Sequence, residues 1–164
     1  MDANLAKLIE RVRSAFAYGP PNGWIEGWAI TRHFSEFVQV VSPRSAFNIT
    51  SFDYSFCNRF EVQVKGLDDR CHAVLTALLS FIADVYTTYW TLYEQGGRVG
   101  RVIEIPPSED AAKLQLRVES WLTQIGFARL HDDWYSIELN GIQLELSGET
   151  HVTLGKCLFQ DYDG

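Results

Sequence analysis

The sequence predicts an α+β fold, a mostly antiparallel sheet with about three helices packed on it. Three observations carry this. Two segments, 3–17 and 108–125, repeat apolar residues at helical spacing. Short segments rich in β-branched and aromatic residues come in pairs separated by turn signals. Asn140-Gly141 sits between two alternating runs, the preferred type I′ hairpin turn.

In chain order, Leu5, Leu8, Ile9, Val12 and Phe16 share one face of the first helix, with Lys7, Arg11 and Ser14 opposite and Asp2 as its cap. "YGPPNG" stops that helix. Residues 24–50 carry no decisive period: "WIEGWAI" fits a short strand, "TRHFSEFVQVV" fits helix or strand equally, and "SPRS" is a turn. Next come "AFNITSFDYSF" and "RFEVQVKG", where Phe60, Val62 and Val64 alternate with Glu61, Gln63 and Lys65 as in a strand with one wet face. "LDDRCHAVLTALLSFIA" reads as a buried helix, with Asp68 or Asp69 at its N-terminus. "VYTTYWTLY" reads as a strand (the alternative being that the helix continues to Gly96), "EQGGRVG" as a turn and "RVIEI" as the returning strand. Ser108 caps the last long helix, Leu114, Val118, Trp121, Leu122 and Ile125 face the core, and Gly126 suits a left-handed cap. The Asn-Gly turn would pair Leu139 with Ile142, Ile137 with Leu144 and Tyr135 with Leu146, and "HVTLGKCLF" would add a third strand.

The 164 residues suit one domain, 1–164, with a sizeable core; 5 Trp, 7 Tyr and 10 Phe supply large buried areas. No segment has the apolar length of a membrane span or the layout of a secretory signal, and three widely spaced cysteines fit a reducing compartment, so a cytoplasmic location is expected. The net charge is −7, and its placement matters more than its size. From Leu130 to Gly164 there are seven acids, and Lys156 is the one Lys or Arg, so nearly the whole imbalance lies there. Such a surface repels nucleic acid and anionic membranes and attracts basic partners.

No spacing marks a reaction. His151 and Cys157, on an extended strand, would lie roughly 20 Å apart at about 3.3 Å per residue, too far for a nucleophile and base. Cys71 and His72 are adjacent, and no CxxC, HxxxH or HExxH occurs, so neither a metal nor another cofactor is expected. "GGRVGR" lacks the Lys-Ser/Thr and following helix of a phosphate loop, although Arg98 and Arg101 would form a small basic spot. Glu138 and Glu145 would lie diagonally across the hairpin on its solvated face, as a possible acid/base pair or as ordinary surface carboxylates. What remains is a surface for a partner: Asp132, Asp133, Trp134, Glu138, Glu145, Asp161, Tyr162 and Asp163.

"WLTQIGFARL" as a helix, "WYSIELNGIQLELSG" as a hairpin and "HVTLGKCLFQD" as an acidic closing strand together resemble bacterial immunity proteins of polymorphic or contact-dependent toxin systems. The resemblance covers about a third of the chain and transfers no individual functional residue. It implies a non-enzymatic cytoplasmic inhibitor that occludes the basic active site of a cognate toxin, often a nuclease. The alternative is a small-ligand or enzymatic domain whose pocket is lined by aromatics of "WIEGWAI" and "YTTYWTLY".

Overall fold

The sheet is built on three long strands, with short ones at its edges, and all but the last pair with neighbours in sequence. A computed structural model of the chain describes residues 1–65, 68, 70–94, 97 and 99–162. Strands β1 (Ala46–Asn48), β2 (Cys57–Lys65), β3 (Cys71–Ser80), β4 (Val85–Glu94) and β5 (Arg101–Ile103) run antiparallel in the order β1-β2-β3-β4-β5. A two-residue strand β6 (Ala128–Arg129) joins β4 in parallel at Val85 and Tyr86. The α+β class with a mostly antiparallel sheet is therefore the architecture of the protein.

Among the described residues there are six helices: α1 (Ala3–Ala15), α2 (Gly23–Glu26), α3 (Phe34–Val41), α4 (Glu109–Gln124), α5 (Asp132–Tyr135) and α6 (Leu154–Leu158). Three have eight or more residues, and the other three are single turns. Asp2 caps α1 by accepting the Asn4 N–H, and Ser108 caps α4 by accepting that of Ala111. Gly126, at φ 97°, supplies the left-handed residue that follows α4.

Cross-strand pairs share a face, so the registers sort the side chains. Phe60, Val62, Leu75, Ala77, Leu79, Tyr86 and Trp90 lie on the face covered by α3 and α4, where Phe37, Leu114, Val118 and Leu122 complete one core cluster. The Trp90 indole donates to the Gln115 side chain at 2.7 Å, so its polar atom is satisfied as it is buried. The opposite face is covered at one end only. There Cys57 and Leu78 meet Val12 and Phe16 of α1, Leu154 and Leu158 of α6, and Leu139, Ile142 and Leu144. The helices thus flank the sheet on both sides at the Cys57 end, while Gln63 and Lys65 continue onto open surface.

Three expectations are corrected. The segment 67–83 is not a helix: its described part forms β3, paired on both sides by β2 and β4. A strand buried on both faces has no polar alternation, so its apolar run has no period that separates it from a helix. The hairpin around Asn140-Gly141 does not form. Gly141 takes the left-handed conformation at φ 78°, but the backbone partners of 137–139 are Val152 and Leu154, and 132–135 are helical. The third strand of that meander is instead α6, capped by the Thr153 hydroxyl on the Lys156 N–H. Of the readings at 24–50, the strand at "WIEGWAI" gives way to α2, and "TRHFSEFVQVV" is helical from Phe34. The expected turn at 94–100, with Arg98, and the Asp69 cap fall wholly or partly outside the described residues, as does Asp163.

Candidate partner-binding cleft

Three stretches far apart in sequence wall a cleft of about 340 Å³: Pro20 to Trp24, Phe52 to Phe56, and the pair Glu145 and Asp161. The first wall is set by α2. Asn22 caps it, its side chain accepting the N–H groups of Trp24 and Ile25 at 3.0 and 3.4 Å. Gly23 lies so close to the second wall that a Cβ there would come within 2.5 Å of the Phe52 ring and 2.7 Å of Trp28. The Trp24 ring meets Phe52 edge-on at 4.9 Å and stays 66% exposed. Behind it Trp28 stacks on Phe81 with ring planes 5° apart.

The second wall is fastened to residues 159–161. Phe56 N–H donates to the Phe159 carbonyl at 2.7 Å, and Asp161 N–H donates to the Tyr54 carbonyl at 2.8 Å. Between these anchors Tyr54 holds a left-handed backbone, φ 56°, uncommon for an aromatic residue. Its side chain lines the cleft and the residue is 42% exposed. The third wall is the turn 144–148, closed by the Leu144 N–H on the Gly148 carbonyl at 2.8 Å. Glu145 projects from it, exposed.

Asp161 differs from the other two carboxylates of the cleft. It is 1% exposed, and its oxygens accept the Leu146 N–H at 2.6 Å, the Ser147 N–H at 3.2 Å and the Ser147 hydroxyl. A buried carboxylate held this way is part of the framework rather than of the outward surface, so the expectation that it meets a partner directly gives way to a structural role. Asp53 and Glu145 are exposed and, among the described residues, have no side-chain hydrogen bond or ion pair.

The other residues expected at a partner surface are dispersed. Asp132 and Asp133 are exposed on α5 beside Arg129 and His131, at 3.4 and 3.6 Å. Trp134 packs against the core cluster under the sheet. Glu138 lies 3.7 Å from His151 and lines a separate shallow groove along α1. It is therefore not paired with Glu145, which lines the cleft. Tyr162 is partly exposed and lies in the electrostatic surroundings of Arg59. The structure thus brings Glu145 and Asp161 together and leaves the rest apart. Trp24, Asp53 and Tyr54 complete the cleft; Trp24 belongs to the "WIEGWAI" aromatics expected to line a pocket in the alternative reading, while no local signal marks Asp53 or Tyr54.

Burial pushes the thiols of Cys57 and Cys157 up to about 12. Both therefore stay protonated at neutral pH, the opposite of an activated nucleophile. Cys157 lies inside α6 while His151 faces Glu138, so a helix and an ion-pair partner, rather than the expected extended strand, keep the two apart. Among the described residues no group of three or more His, Cys, Asp or Glu side chains could hold a metal ion, and no helix is long and apolar enough to cross a membrane. Compared with protein-family models, curated proteins and solved structures, the chain matches none.

Proposed function

We propose that the protein is a non-enzymatic binding protein of the immunity type, which neutralises a basic bacterial toxin by seating a cationic part of it in the cleft. The observation that carries the reading is the pairing of exposed aromatics, Trp24 and Tyr54, with two unpaired carboxylates, Asp53 and Glu145. Aromatic anchors supply contact area at low entropic cost, and carboxylates match Lys and Arg that otherwise hold phosphates. The surplus of acids after Leu130 adds a long-range field that draws a basic partner in.

A small cationic ligand is the second reading, favoured by one observation: about 340 Å³ lies at the low end of the volumes of small-molecule sites. The test is to express the protein with the toxin domain encoded beside it in its genome and to follow both growth rescue and association rate. Rescue is expected, with an association rate that falls as salt rises. An operon of metabolic enzymes, or binding to the toxin that is insensitive to salt, removes the reading.

A further inference from the structure

We infer that the cleft receives one arginine side chain from the partner's surface, its guanidinium against Trp24 and Tyr54 and facing Asp53 and Glu145. The inference rests on the reading above and specifies its occupant. Among the described residues neither Asp53 nor Glu145 has a partner of its own, whereas the third carboxylate of the lining, Asp161, is already held by Leu146 and Ser147, with the Lys156 ammonium on the same Ser147 hydroxyl. An anion or a neutral apolar group would leave the charges of Asp53 and Glu145 uncompensated; a cation removes the imbalance.

The aromatic walls select among cations. An ammonium is compact and strongly hydrated, and gives up its water reluctantly. A guanidinium is planar and weakly hydrated. It stacks on an aromatic face while its fork of five donors engages carboxylates at its edge. Trp24 and Tyr54, both exposed and both in the lining, are the aromatics such a group would meet. The occupant belongs to a protein because exposed apolar residues continue beyond the cleft. Ile25, the neighbour of Trp24, and Leu146, the neighbour of Glu145, are both exposed and suit a surrounding contact that excludes water.

The experiment uses the full chain and three capped tripeptides, Gly-Arg-Gly, Gly-Lys-Gly and Gly-citrulline-Gly, followed by NMR at the backbone amides of residues 52–54 and 145–146 in every variant and at the Trp24 indole where it is present. The arginine peptide is expected to bind in the millimolar range and to perturb Trp24. The lysine peptide binds more weakly, and the citrulline peptide, neutral but of the same shape, does not bind. Trp24→Ala weakens the arginine peptide about fivefold, the size of one exposed cation–π contact; Glu145→Gln weakens it up to about fivefold, the size of one exposed ion pair; and Trp24→Phe restores most of the loss at that position. Equal binding of citrulline or lysine, no binding of arginine, or no effect of Trp24→Ala overturns the inference. If a toxin binds and Trp24→Ala leaves that binding unchanged, the inference fails and the inhibitor reading stands. If the arginine peptide binds as described and no toxin does, the inhibitor reading fails and the arginine site stands.

Discussion

The carboxylate of Asp161 accepts the backbone N–H of Leu146 at 2.6 Å, fifteen positions earlier in the chain. Its own N–H donates to Tyr54, so one residue ties together two walls of the cleft. Asp161→Asn replaces an acceptor oxygen with a donor facing N–H groups. It is expected to cost about 2 kcal/mol, the scale of a buried hydrogen bond to a charged group. Urea unfolding measures this, and a loss below about 0.5 kcal/mol would remove the framework role.

Gly23→Ala places a methyl group 2.5 Å from the Phe52 ring. The ring cannot yield freely, because Trp24 and Trp28 both pack on it. A cost of about 1–3 kcal/mol is expected, as for overpacking elsewhere in protein cores. Thermal unfolding of the variant is the check, and an unchanged midpoint would contradict the close seat of α2.

Trp24 and Trp28, four positions apart, are expected to behave oppositely. Trp28 stacks on Phe81 at 4.9 Å and meets Phe52 and Phe56 edge-on, so Trp28→Ala should cost about 3 kcal/mol. Trp24 is mostly exposed, so Trp24→Ala should stay within about 1 kcal/mol while weakening partner binding. Denaturation of both variants, paired with a binding measurement on Trp24→Ala, tests the contrast.

The thiols give a pH dependence of definite sign. Burial raises Cys57 and Cys157 from 9.0 to about 12, so the unfolded chain releases these protons first. Their contribution to stability is complete below pH 9.0 and is lost as pH rises through the interval up to about 12. Urea midpoints at increasing alkaline pH should fall less steeply in the Cys57→Ala, Cys157→Ala double variant than in the parent. A thiol reagent at neutral pH should modify the half-buried Cys71 first and reach the other two only on unfolding.

Where one face of an element meets water, the sequence was legible. Phe60, Val62 and Val64 alternate with polar neighbours, and α1 and α4 carry single apolar stripes, so β2 and both helices follow from periodicity. β3 failed that test because Ala73 to Ser80 are all buried: Leu75, Ala77 and Leu79 under α3 and α4, Leu78 beside α1 and α6, and Val74 and Thr76 between the flanking strands β2 and β4. The 134–158 region misled differently. Leu139, Ile142 and Leu144 are buried in turn, as a hairpin would have them, and Gly141 is left-handed, but Asn140 is not, so the turn there is not the type I′ one expected. The backbone of 137–139 nevertheless pairs with 152–154, a choice made by packing beyond the reach of local pattern. The cleft was half legible. Charge counting found Glu145 and Asp161, but Trp24 and Tyr54 become neighbours of those acids only through the tertiary fold.

Residues 24 and 161 both line the cleft, and the chain between them must be made before the pocket exists. At ordinary synthesis speeds of about 5–20 residues per second, that interval is roughly 7 to 27 s. The growing chain cannot complete even the packing of α1, whose core partners include Leu139, Leu154 and Leu158, until the last wall of the cleft is in place. On the proposed reading, recognition of a partner would double as proofreading: only a finished, correctly closed molecule could engage, and a copy that stalls after residue 144 would stay silent.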